Sequence, residues 1–98
     1  MSSEQYIRSQ GGVRIFSRMT SVEKRDLKGA LRRCELCGCS HEDFLRLVVD
    51  HDHETDVIRG LLCSSCNRHV GLFECRGWRS RSAPAGLHEW VRRGKIAA

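Results

Sequence analysis

The chain is short of the groups that usually build a small fold: only six of its 98 residues are aromatic, while 30% are charged. A large apolar core is therefore excluded, and one thin domain is expected at this length. No apolar run approaches bilayer-spanning length, so no membrane partner is expected. The opening MSSEQYIRSQGG has no apolar h-region, so a secretory signal is not expected and a cytoplasmic setting is. No internal repeat and no low-complexity tract is present. With so little to bury, a chain of this size relies on disulfides, a structural metal or oligomerisation.

Six cysteines supply the means. In a reducing compartment, paired cysteines more often bind metal than form disulfides. Cys34-Glu-Leu-Cys37 and Cys63-Ser-Ser-Cys66 are two matched Cys-x-x-Cys turns. Each turn lets two sulfurs reach one ion, and two turns complete a tetrahedron around structural Zn2+. Four thiolates leave no open position, so this metal is not the catalyst. Its binding is coupled to folding, which offsets the thin core. The alternative, a pair of redox dithiols, fits poorly with two pairs flanking a hairpin. Cys39 and Cys75 are left over.

The net charge of +5 is unevenly distributed. Residues 1–33 carry eight Lys or Arg against three acids, and residues 76–98 carry six against one. Residues 34–75 reverse the balance, with three Arg against eight Asp or Glu. Basic ends around an acidic, metal-capable centre suit a protein that grips a polyanion, although solvated basic helix faces are common.

Residues 1–19 show no clear period and are expected to form a mobile basic N-terminal arm, broken at Gly11-Gly12. Residues 20–98 are expected to form a single domain with its core at 34–75. Thr20 with Glu23 reads as a capping box opening a helix from Ser21 to Arg33, with Val22, Leu27, Ala30 and Leu31 as its apolar stripe. Phe44 to Asp50 reads as a strand, Asp52 to Asp56 as a turn, and Val57 to Leu62 as the returning strand. Cys63 opens a helix to about Glu74, with Val70 and Phe73 facing inward. A basic loop containing Trp78 comes next, and Pro84 precedes a last helix over 85–93 that stops at Gly94.

Asp50-His51-Asp52-His53 ends the first strand, and Asn67 directly follows the last cysteine of the second pair. An aspartate and an amide oxygen are suitable ligands for a hard divalent cation. A histidine near its ordinary pKa can take a proton from water. Spacing alone does not say whether His51 or His53 is the base, and histidines in polar turns are often merely solvated. Strict pleating would put Asp50 and His51 on opposite faces, so the strand must end or twist there.

The stretch from Cys34 to Gly71, with LVVDHDHETDVIRGLLC between the cysteine pairs and Cys66-Asn67 at its end, resembles the recombination endonuclease VII family of the HNH superfamily. The resemblance implies a small α+β fold: a ββα-metal (HNH) core with a structural four-cysteine zinc site, flanked by an N-terminal and a C-terminal helix. It implies zinc on Cys34, Cys37, Cys63 and Cys66, catalytic Mg2+ or Mn2+ on Asp50 and Asn67, and His51 as the general base. His53 would lie near the scissile phosphate. Where many HNH proteins have a middle Asn, this chain reads Ile58-Arg59-Gly60, and Arg59 is given a phosphate-contacting or structural role.

The function implied is hydrolysis of DNA phosphodiester bonds, most simply by nicking, in a bacterial or phage-infected cell, by a monomer or small homodimer. The alternative is a non-catalytic zinc-stabilised module that binds DNA, which would form no product with any divalent cation. A structural protein of a phage particle, a third reading, would show no DNA affinity at low salt.

Overall fold

The structure is a computed structural model that describes residues 2–11, 14–40, 42–77 and 81–96. Among the described residues, four helices pack around a two-stranded antiparallel sheet, a small α+β fold. None of these helices is long and apolar enough to cross a membrane.

Helix α1, Ser3–Ser9, lies within the stretch expected to be an aperiodic arm. Ser2 and Gln5 form a capping box at its start, and Ile7 is buried in the core. So short a helix with a single apolar anchor in the core gives no visible period, so burial rather than pattern orders it. The chain then runs beside the hairpin: Ile15 bridges Val57, Phe16 N–H donates to the Asp56 carbonyl, and Ile58 N–H donates to the Arg14 carbonyl. Met19 joins the core.

Helix α2, Ser21–Leu31, has the expected capping box of Thr20 and Glu23. It stops two residues early because Arg32 takes a left-handed conformation, φ 57°. Its stripe is narrower than expected. Leu27 is fully buried, but Val22 is 53% exposed.

The strand expected from Phe44 begins later. Asp43 caps the Leu45 amide and folds Phe44–Arg46 into a 3-10 turn, leaving β1 as Val48–His51. β2, Ile58–Leu62, returns antiparallel and is buried throughout. The register pairs Val48 with Leu62, Val49 with Leu61, Asp50 with Gly60, and His51 with Ile58, so Arg59 is an extra residue in a bulge. A bulge bends and twists its strand pair locally. It falls at the Asp50–His51 step, where strict pleating had to fail.

Helix α3, Ser64–Arg76, is capped by the Cys63 sulfur, which accepts from Cys66 N–H, and ends at Gly77 in a left-handed turn, φ 63°. Val70 is buried and Phe73 partly so. Trp78 and the middle of its expected loop lie outside the described residues. Helix α4 is Leu87–Ile96, starting later than expected and running through Gly94. Gly86, at φ 80°, makes the turn into it, and its carbonyl accepts from Trp90 N–H, so Pro84 stays outside. Leu87 and Trp90 bring α4 onto the core, where Leu27, Leu47, Leu61, Leu62 and Val70 meet. Fully burying such a side chain contributes about 1.5–3 kcal/mol.

Candidate active site

The two knuckles converge. The sulfurs of Cys34, Cys37, Cys63 and Cys66 all lie within 4.8 Å of one another. Cys37 and Cys63 Sγ are 3.9 Å apart, close to the ~3.8 Å edge of a tetrahedron with ~2.3 Å zinc–sulfur bonds. Cys37 N–H points at Cys34 Sγ and Cys66 N–H at Cys63 Sγ, both at 3.4 Å, so each turn directs an amide onto a sulfur of the cluster. Burial pushes the Cys63 and Cys66 thiols up. Four cysteine sulfurs at this spacing could hold a cation among them, which would favour their thiolate forms, and the donor set fits zinc. Cys39 is exposed; its carbonyl accepts from Cys34 N–H and closes the first knuckle.

The knot also fixes the start of α3. Asn67 stands in the first turn of that helix, half-buried, with no hydrogen bond to its carboxamide among the described residues. On the facing hairpin, Asp50 is buried and its carboxylate is anchored on one side only. Oδ2 accepts from Arg59 Nε and from Trp90 Nε1, each at 2.8 Å. Oδ1 carries no hydrogen bond among the described residues. No hydrogen bond or ion pair joins Asp50 to Asn67. Among the described residues, the four cysteines form the one cluster of three or more His, Cys, Asp or Glu with metal-ligand spacing.

Arg59 has no exposed side-chain surface, and of the two roles its position suggested, the geometry fits the structural one. Its guanidinium reaches Asp50 on one side and meets Glu74 of α3 on the other, at 2.8 and 3.1 Å. Burial works against the charge, but Glu74 and Asp50 more than compensate and raise its pKa. Beside it, Gly60 has φ 149°, and a Cβ there would come within 2.6 Å of the Trp90 ring and 2.7 Å of Glu35. Glu35 in turn accepts from the Leu61 and Ser3 amides. Glycine lets the hairpin, α4 and the knuckle close on one point.

His51 is partly exposed. Its ring stacks on Phe16 at 4.0 Å, and His53 stands edge-on at 4.8 Å. Nε2 lies 3.9 Å from Asp56 Oδ1, so Nδ1 is the nitrogen left for another partner. Burial, and then the neighbouring His53, lower the His51 pKa; Asp56 and Asp50 oppose them. Asp56 itself has φ 63°, a conformation a non-glycine residue adopts at some cost. It is locked there by the Phe16 amide on its carbonyl and the Ser17 amide on Oδ2, and hydrogen bonds from Ser17 hold its carboxyl below the ordinary value. Asp52 points inward and holds the turn, accepting the Glu54 and Thr55 amides on Oδ1. Burial acts to raise its pKa, but those amides and Lys95 at 3.6 Å outweigh it.

Trp90, Glu74 and Phe16 thus surround the candidate residues although no motif in the sequence marks them, and Asp56 does so from within the stretch between the cysteine pairs, where it reads only as part of a turn. Only Trp90 carried a signal, as an aromatic whose N–H needs an acceptor once it is buried.

A family profile for recombination endonuclease VII matches residues 12–91. Two curated relatives, each named Gene 59 protein, come from Mycobacterium phages D29 and L5. They are 47% and 49% identical to this chain over 38 residues, 39% of this chain and 23% of each relative. The match thus spans under a quarter of those relatives' length. No solved structure matches the chain.

Proposed function

The chain belongs to the recombination endonuclease VII family, and from that membership we propose that it is a divalent-metal-dependent endonuclease that hydrolyses DNA phosphodiester bonds, most simply by nicking one strand. The observation that carries this reading is the one-sided anchoring of Asp50. An oxygen held by two donors and an oxygen left open make a rigid carboxylate suited to a single metal ligand. Asn67, fixed by the cysteine knot, would supply a second oxygen.

Mg2+ or Mn2+ held by Asp50 and Asn67 would neutralise charge building on the phosphoryl oxygens and the leaving group. His51 acts next to it. With Nε2 turned to Asp56, Nδ1 takes a proton from water as the water oxygen bonds to phosphorus and the bond to the leaving oxygen breaks. Phe16 holds the ring in plane by stacking. His53, exposed on the same turn, would meet a phosphate there.

The test is plasmid relaxation. Purified protein with Mg2+ or Mn2+ should convert supercoiled plasmid to open circle, and His51→Ala should lose that activity while keeping zinc and helix content. Cleavage by His51→Ala at the unsubstituted rate would remove the assigned base. Binding with no product under any divalent cation would leave a non-catalytic DNA-binding module.

A further inference from the structure

Many basic side chains of this chain are matched by acids: Arg8 and Arg14 by Glu4, Arg25 by Asp26, Arg46 by Asp43, Lys95 by Asp52 and Glu54. Lys24, Lys28 and Arg32 are held differently. Lys24 Nζ sits 3.9 Å over the Phe16 ring. Lys28 Nζ reaches the Leu45 carbonyl at 3.5 Å. Arg32 Nε donates to the Gly29 carbonyl at 3.2 Å, and its guanidinium lies 5.0 Å over the Phe44 ring. No carboxylate is within ion-pair distance of any of the three among the described residues. Neutral partners fix where each cation points and form no ion pair with it, although Lys24 also acts at longer range on the Asp56 carboxyl and helps lower its pKa; an exposed cation–π contact contributes only about 0.5–1 kcal/mol.

Lys24 and Lys28 lie one turn apart on α2, with about 6 Å between them, and Arg32 follows as the C-cap, where the left-handed backbone turns its side chain over Gly29 and the Phe44 ring at the end of the row. The stripe begins at the candidate base: Lys24 covers Phe16, and the same ring makes the stack on His51. The geometry points to the Lys24, Lys28 and Arg32 stripe as the track on which the phosphate backbone of the DNA strand lies as it enters the site. About 12 Å of helix runs past roughly three phosphates of one strand, one for each cation. The track specifies no base, since it reads only charge and spacing. It extends the proposed nuclease reading by naming where that substrate lies.

Binding separates the two readings. Affinity for a short DNA duplex is measured by fluorescence anisotropy between about 50 and 200 mM salt, on the His51→Ala protein without added divalent cation. Lys24→Gln/Lys28→Gln/Arg32→Gln should reduce the slope of log affinity against log salt by about 2–3, near 0.9 for each phosphate no longer neutralised. Arg8→Gln/Arg14→Gln/Arg25→Gln removes the same charge from sites that share two acids, Glu4 and Asp26, leaving one cation unmatched, and should change the slope by about 1 at most. Equal changes in both, or none in the stripe variant, overturn the track. Zinc content and circular dichroism verify folding. Lys24→Gln alone, with an expected slope change of about 1, serves if the triple variant does not fold, and an unchanged slope there overturns the track equally. Nicking by the unsubstituted protein without the slope difference removes the track and keeps the nuclease. The slope difference without nicking does the reverse.

Discussion

Arg59 and Asp50 meet at 2.8 Å in a place where the guanidinium has no exposed surface at all. Arg59 is also the extra residue of the bulge that separates Asp50 from His51. One irregularity of the hairpin therefore accommodates the anchor of the candidate metal ligand and the change of direction before the candidate base. Trp90 completes the anchor from α4, through a hydrogen bond to the same carboxylate oxygen.

Trp90→Phe keeps most of the ring and removes that donor. Leaving a buried acceptor short of one partner costs about 1–3 kcal/mol, so the melting temperature should fall while the fold survives. If the anchor positions Asp50, the variant also needs several-fold more Mn2+ for half-maximal binding, measured by direct metal titration without DNA. An unchanged metal requirement would reduce Trp90 to a packing residue.

Arg59→Ala should be far more damaging. It strands Asp50 and Glu74 as neighbouring acids without their cation, and breaking such a buried pair costs about 3–5 kcal/mol. Small domains have only about 5–15 kcal/mol in total. Denaturant unfolding should show most of the stability gone. Adding Glu74→Gln should restore part of it by removing one of the two unmatched charges. No recovery in the double variant would mean that the ion pairs do not set the cost.

Much of this was legible in the residues, and the rest was hidden for physical reasons. The two Cys-x-x-Cys turns, the capping box at Thr20 and the hairpin could be read because each is built from residues close in sequence. Helix α1 and Met19 could not, because Ile7 and Met19 are ordered by distant burial rather than by a period of their own. Arg59 could not be resolved between phosphate contact and structure, since its partners Glu74 and Asp50 come from different elements. Asp56 looked like a turn former and is one, but its carboxylate also faces His51, which no spacing reveals.

Cys63 has two tasks that a single substitution separates. Its sulfur caps α3 by accepting from Cys66 N–H, and it is one of the four clustered thiols. Cys63→Ser keeps a capping oxygen, since serine is a favoured N-cap, but gives up a thiolate. If capping were its main contribution, the variant would keep its stability. If the metal clamps the knuckles, zinc measured by atomic absorption should fall below one per chain and helix signal at room temperature should collapse. A folded, zinc-free variant would refute the clamp.

The pH dependence of cleavage tests the surroundings of His51. Burial chiefly, and then the charge of His53, hold its pKa below the ordinary 6.5, with Asp56 and Asp50 pulling the other way. The neutral imidazole is the form that accepts a proton from water, so kcat at saturating metal should rise with pH through a midpoint below 6.5. A cation held by Asp50, as proposed, would push the midpoint further in the same direction. His53→Gln removes a charge that lowers the pKa, so the midpoint should move up. Asp56→Asn removes one that raises it, so the midpoint should move down; asparagine tolerates the left-handed backbone there and still accepts from Ser17 N–H. Opposite shifts from two substitutions of the same turn separate an electrostatic effect on one imidazole from general damage to the loop, which would lower the rate without moving the midpoint. A midpoint above about 7, past the ordinary histidine value, that ignores both changes would mean the titrating base is not His51.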